Sequence, residues 1–154
     1  KKYLDILEAL YIVFVLRPFH DNIARAVLQT PKVYFYDTGL VVGEDGLRYE
    51  NLVATALHKH VQWQHDVQGQ ESGLHYIRTK DGAEVDFALS HQGQITQLVE
   101  CKLSDPKPHR ALLRFAREQP QAQAVQVVRH LPHSHALGEI QLMRADDYLN
   151  GLVA

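Results

Sequence analysis

Three residues frame the chemistry open to this chain: Asp86, Glu100 and Lys102. Side chains two positions apart in a strand point to the same face. In Val99-Glu100-Cys101-Lys102-Leu103 the carboxylate and the amine therefore share one face, while Val99, Cys101 and Leu103 share the other. Just upstream, Ala83, Val85, Phe87 and Leu89 alternate with Glu84, Asp86 and Ala88, which sets Asp86 on the polar face of a neighbouring strand. Carboxylates converging from adjacent strands suit a hard cation such as Mg²⁺ or Mn²⁺, which takes oxygen ligands and keeps several waters. Such an ion polarises a phosphate and acidifies a bound water. An ammonium nearby orients that water or stabilises charge developing on the phosphoryl oxygens. Asp86 and Glu100 with Lys102 are the minimal set for phosphodiester hydrolysis. Taken singly, each reads as part of a cross-strand ion-pair ladder, which is common on half-exposed sheets and contributes little. Glu84 shares a strand face with Asp86 and reads as a salt-bridge partner rather than a further ligand.

The elements that must position these residues can be read from periodicity. Leu47 to about Trp63 has Leu52, Val53, Ala56, Leu57 and Val61 on one helical side. Three strands follow, Leu74 to Thr79, Ala83 to Ser90 and Gln94 to Leu103, joined by the turn signals Lys80-Asp81-Gly82 and His91-Gln92-Gly93. This is an antiparallel meander. Pro106 and Pro108 introduce an amphipathic helix, about His109 to Gln119, with Leu112, Leu113, Phe115 and Ala116 for the core. Ala124 to Arg129 and Glu139 to Met143 read as strands, and Ala145 to Leu152 as a closing helix. Before all of this, Tyr3 to Tyr11 has helical spacing, Ile12 to Leu16 reads as a strand, a polar segment holds Asp21 and Asn22, and Lys32 to Tyr36 is a second strand. That order fits the end of a winged-helix domain or a packing extension. The first residue is Lys1 rather than Met, and a helical pattern is already under way at Lys2-Tyr3-Leu4-Asp5-Ile6-Leu7 with no cap ahead of it, so the chain is expected to be a fragment.

The order helix, strand, strand with Asp, strand with Glu-x-Lys, helix, strand resembles the core of the PD-(D/E)XK nuclease superfamily. More narrowly, Tyr3-Leu4-Asp5-Ile6-Leu7, Val33 to Leu40, Tyr49-Glu50-Asn51, Gly82 to Phe87 and Val99-Glu100-Cys101-Lys102 look like the C-terminal domain of a family of predicted prokaryotic AAA-type ATPases. The resemblance covers nearly the whole chain. It implies an α/β fold of restriction-endonuclease type, with a mixed central sheet flanked by helices over residues 40–154, preceded by a winged-helix-like or docking segment over 1–39. It also implies that Asp86 and Glu100 bind Mg²⁺ or Mn²⁺, that Lys102 acts on the water or the transition state, and that Glu50 is an auxiliary metal ligand. An acid in the first turn of a helix is favoured by the helix dipole in any case. The ATP-binding Gly-x-x-x-x-Gly-Lys-Ser/Thr loop of such ATPases is absent from these residues, so ATP belongs at most to a part not present here.

Composition bounds the partners. The chain has 154 residues, 45% of them hydrophobic, enough for a sizeable core. Its net charge of -2 is not that of a protein that coats nucleic acid, so any contact with DNA or RNA needs a local patch. Lys107, Arg110, Arg114 and Arg117 recur at three- and four-residue steps and would line one side of a helix, as a phosphate-tracking stripe or simply its solvated face. The single cysteine, Cys101, excludes an internal disulfide and reads as a small core residue. His58-Lys59-His60 and the His130, His133 and His135 cluster lack the carboxylate or cysteine partners of a transition-metal site. The apolar run from Leu10 to Leu16 is too short to cross a bilayer and no leader precedes it, so a cytoplasmic protein without membrane contact is expected. The leading expectation is a metal-dependent hydrolase acting on nucleic acid, most readily DNA, beside an absent ATPase domain and open to homo-oligomer formation. The alternative is a catalytically inactive module that binds DNA or protein and regulates that ATPase.

Overall fold

The computed structural model describes residues 2–19 and 30–152. The polar segment with Asp21 and Asn22 lies outside them. In chain order the elements are α1 (Lys2–Ala9), β1 (Val13–Leu16), β2 (Lys32–Phe35), a 3-10 turn at Thr38–Leu40, α2 (Asp45–Gln68), β3 (Ser72–Arg78), β4 (Glu84–His91), β5 (Gln94–Lys102), α3 (Arg110–Glu118), β6 (Gln123–Val128), β7 (His135–Leu137), β8 (Ile140–Arg144) and α4 (Ala145–Asn150). Six strands form one mixed sheet in the order β3-β4-β5-β6-β8-β7, and β1 pairs with β2 as a separate antiparallel ribbon. Strands β3 to β5 are the expected meander. The crossover through α3 then makes β6 parallel to β5, and β8 is parallel to β6.

Both faces of the sheet are covered. On one, Tyr49, Val53, Ala54, Leu57 and Val61 of α2 pack with Phe87, Val99, Val125 and Val127 of the sheet, with Phe14, Leu16 and Tyr34 of the ribbon, and with Tyr148 of α4. On the other, Ala111, Leu112, Phe115 and Ala116 of α3 cover Val85, Ala88, Ile95, Leu98, Ala124 and Ile140. Helix α2 is longer than its apolar spacing indicated and stops where Gly69 takes a left-handed φ of 63°. Its buried stripe runs through Tyr49, Val53, Leu57 and Val61, at steps of four, so Leu52 is turned outward and is 46% exposed rather than in the core. Helix α1 has no buried residue, and Tyr3, Ile6 and Leu10 stay exposed. Strand β7 was not evident in the sequence. It pairs antiparallel with β8 through Gly138, whose φ is 62°.

One local departure shapes everything that follows. Against β3, His75 faces Ala88 but Ile77 faces Val85, so two residues of β3 span three of β4: a β-bulge. Strict alternation would have grouped Val85 with Phe87. Instead Val85 and Ala88 pack under α3, while Phe87 and Leu89 pack under α2. The extra residue turns Asp86 to the α2 side next to Phe87.

The β4–β5 turn needs positive φ at both central residues, 49° at Gln92 and 74° at Gly93, the geometry that matches strand twist in a two-residue hairpin. Nothing crowds a Cβ built at Gly93, so the backbone alone penalises a side chain there. Gly93→Ala should therefore cost about 1 kcal/mol, read as a lower urea midpoint with an unchanged slope.

Candidate functional site

Strands β4 and β5 pair, with a register shift between Leu89 and Ser90, as far as Phe87 opposite Val99 and then part, with Asp86 and Glu100 as the next residues on either side. The backbone N–H of Cys101 donates instead to Asp86 Oδ2 at 3.0 Å. The parting of the strands is thus filled by a carboxylate. Its other oxygen, Oδ1, lies 3.4 Å from Lys32 Nζ of β2.

Lys32 is the centre of an acidic group that alternation alone does not reveal. Its ammonium lies 2.7 Å from Glu84 Oε1, 3.1 Å from Glu50 Oε1 and 3.4 Å from Asp86 Oδ1. Tyr34, two residues along the same strand face, donates its hydroxyl to Glu50 Oε1 at 2.6 Å. Glu84 is held on its far side by Arg78 of β3. Asn51 of α2 fixes the ribbon that carries Lys32: its side-chain amide accepts from Phe35 N–H at 2.8 Å and donates to Phe35 C=O at 2.9 Å. It meets that strand residue as a second strand would.

Glu100 and Lys102 occupy the α3 side of β5, opposite Val99, Cys101 and Leu103, as strand alternation predicts. Lys102 Nζ donates to Glu100 Oε1 at 2.6 Å, and Glu100 is only 3% exposed. Its Oε2 is buried without a hydrogen-bond partner. His109 Nδ1 stands 3.0 Å from Glu100 Oε1 but without the alignment of a hydrogen bond. Gln126 of β6 holds this histidine in place. Fully buried, it accepts from His109 N–H at 2.7 Å and donates to the carbonyls of Asp105 and Lys107 at 3.0 and 2.9 Å.

The electrostatics show an excess of buried negative charge. Burial raises the Asp86 pKa to about 6, with the Glu100 and Glu50 charges adding to it and Lys32 opposing. Burial likewise raises Glu100, against the pull of Lys102. Burial disfavours the Lys32 ammonium, yet Asp86, Glu50 and Glu84 outweigh that and hold it well above its ordinary value. His109 is pushed down, by burial first and then by Lys102, so its ring is neutral at neutral pH.

Sequence reasoning named Asp86, Glu100, Lys102 and Glu50 but not Lys32, Tyr34, Arg78 or His109. Asp86 is the meeting point of the set, engaged with Lys32 and with the backbone of β5. Glu50 is engaged by Lys32 and Tyr34. Glu84 is a salt-bridge partner, of Lys32 and Arg78. Among the described residues, no three His, Cys, Asp or Glu side chains gather closely enough to hold a metal ion by themselves. Of the basic residues, Lys107 precedes α3 rather than lying on it, and Arg114 is paired with Asp81 at 2.8 Å and Glu118 at 2.9 Å. Arg110 and Arg114 line a hollow of about 550 Å³ with His109, Asp81 and Glu84, whereas Arg117 lines a different one, beside Pro120. No described helix is long and apolar enough to cross a membrane.

A family model, Domain of unknown function (DUF4143), matches residues 45–145, and a second, Domain of unknown function (DUF8612), matches residues 1–50. No curated protein and no solved structure matches the chain.

The raised pKa of Asp86 has a consequence for stability. A carboxyl whose folded pKa lies above its unfolded one favours the fold in its neutral form, so its contribution is fully present below pH about 4 and is lost as pH rises through about 6. Asp86→Asn keeps the neutral form throughout. The variant should melt with the parent at pH 4 and be more stable by about 1–3 kcal/mol at pH 7.5. A lower melting temperature at pH 7.5 would mean that the attraction to Lys32 outweighs the burial.

Proposed function

The chain belongs to the family of unknown function whose model, DUF4143, it matches over residues 45–145, and on that premise we propose that it is a metal-dependent nuclease-like domain with a restriction-endonuclease-like core. The observation that carries the reading is the juxtaposition of Asp86 and Glu100 where β4 and β5 part, a half-buried and a buried carboxylate, the Glu100 charge raising the pKa of Asp86, with Lys102 on Glu100. Two like charges kept together out of water call for a cation. The buried, unpartnered Oε2 of Glu100 is an acceptor that fits one. Asp86 and Glu100 would hold Mg²⁺ or Mn²⁺, and Glu50 would assist from α2.

When bound, the ion would polarise a nucleic-acid phosphate and acidify a water. This chain's own residues do the rest. Asp86 is fixed by the Cys101 N–H, so its free lone pairs have a set direction. Lys102 supplies a positive charge beside Glu100 to orient a water or to stabilise the phosphoryl oxygens. Arg110, on the rim of the hollow next to His109, offers a phosphate contact, and Arg114 could join only by leaving Asp81 and Glu118. The substrate is a nucleic acid, with DNA preferred, and the chain would work beside an ATPase domain of AAA type.

A second reading has its own support. The Lys32 ammonium already neutralises part of the acidic group, as expected of a module that has kept the fold and exchanged metal for an internal cation, binding DNA or protein without cutting.

The two readings separate in one assay. Single- and double-stranded DNA and RNA are incubated with the chain in Mg²⁺ or Mn²⁺, beside Lys102→Ala. The nuclease reading expects cleavage that EDTA abolishes and that the substitution lowers about 100-fold or more. No cleavage by a folded parent chain would sink it and leave the binding module.

A further inference from the structure

Lys32 is supplied by the ribbon ahead of α2, yet its ammonium sits among carboxylates from α2 and β4. An ammonium is a compact point charge with three donors, here directed at three carboxylate oxygens, so it holds its position much as a small cation would. The charge balance is informative. Glu50, Glu84, Asp86 and Glu100 supply four negative charges, against three positive ones from Lys32, Arg78 and Lys102. Without Lys32 the balance is two against four, a deficit equal to one divalent ion. With Lys32 in place, a divalent ion would give the group a net positive charge in a site that is largely out of water.

The ammonium also has somewhere to go. A hollow of about 460 Å³, lined by Lys32, Tyr34, Leu47, Glu50 and Glu84, opens beside the cluster. Asn51 fixes the β2 backbone, so the lysine head would move into it by rotamer change, without rearranging the ribbon. The buried, unpartnered Oε2 of Glu100 remains for an incoming ion.

We propose that Lys32 is the resident counter-cation of this site, and that a divalent cation takes Asp86 only as the Lys32 ammonium withdraws from it. Lysine and metal are alternative occupants of the same carboxylate. Lys32 is then a positioning residue that sets the metal affinity of the site. This inference rests on the metal-binding half of the proposed function and not on cleavage.

The test uses Mn²⁺ and the whole chain. Calorimetric titration should show Lys32→Gln binding Mn²⁺ about ten-fold or more tightly than the parent, Lys32→Arg no more tightly, and Asp86→Asn more weakly. Lys32→Gln removes three ion pairs and could unfold the chain, so a second measurement uses the parent alone. Acetylation with a succinimidyl ester, read by mass spectrometry, should rise several-fold at Lys32 on saturation with Mn²⁺ and stay constant at exposed Lys80. Equal Mn²⁺ affinities in parent and Lys32→Gln, no binding by either at millimolar Mn²⁺, or unchanged acetylation at Lys32 would overturn the proposal. Metal–lysine exchange without cleavage would leave it standing while the nuclease reading fell. Cleavage with an affinity indifferent to Lys32 would do the reverse.

Discussion

The structure around the site depends on one interaction, the Lys32 ammonium among the carboxylates of Glu50, Glu84 and Asp86. Partly buried charges are costly unless they are paired and hydrogen-bonded, and these charges come from three elements that the chain must bring together: β2, α2 and β4. The apolar side of the ribbon supplies the means, since Phe14, Leu16 and Tyr34 belong to the same core as Tyr49, Val53 and Phe87. Asn51 then locks the ribbon to α2 through both backbone groups of Phe35. Packing fixes the ribbon to within one residue of register, and that register decides that Lys32 and Tyr34, rather than Val33, face the acids.

The bulge in β4 is the second constraint. A regular strand would place Asp86 with Ala88, on the α3 side of the sheet and away from Lys32. The added residue puts Asp86 beside Phe87 on the α2 side, close to where the β4–β5 ladder ends at Phe87 opposite Val99. Beyond that end the Cys101 N–H binds the Asp86 carboxylate instead of a strand partner. Bulges are common where a side chain has to be re-aimed, and this one changes both where Asp86 points and what holds it.

Which parts of this were legible in the sequence follows from the range of the interactions. The meander, its Gln92-Gly93 turn, the shared face of Glu100 and Lys102, and the apolar stripe of α3 are set by residues within one or two elements, so periodicity finds them. The mixed central sheet flanked by helices was likewise within reach, through five of its six strands. Three things were not. Strand β7 is three exposed residues, His135–Leu137, with no apolar alternation to mark it. Leu52 reads as a core residue in the sequence because an apolar residue beside a true core position looks the same until the helix phase is fixed by its neighbours. Lys32 escapes a reading by periodicity because its partners lie 18, 52 and 54 positions away, and because residues 1–39 read from sequence as a separate winged-helix-like or docking segment. The Lys32-x-Tyr34 spacing was a usable signal: a lysine on the same strand face as a buried aromatic must find a counter-charge.

What distinguishes Asp86 and Glu100 from an ordinary ion-pair ladder is the direction of their pKa shifts. A carboxylate held by a structural salt bridge is pulled below its usual range, as Glu84 is by Arg78 and Lys32 despite its burial. Asp86 and Glu100 move the other way although each has a lysine within reach: at Asp86 burial and the Glu100 and Glu50 charges exceed what Lys32 returns, and at Glu100 burial exceeds what Lys102 returns. A sequence shaped by stability alone would place an apolar or amide pair where β4 and β5 part, as a buried ion pair gains little over well-packed neutral residues. Local choices that work against the fold concentrate where a protein meets its ligand. The two acids stand at the end of the sheet, with Glu100 Oε2 still lacking a partner, and this is the position at which a cation would turn that repulsion into attraction.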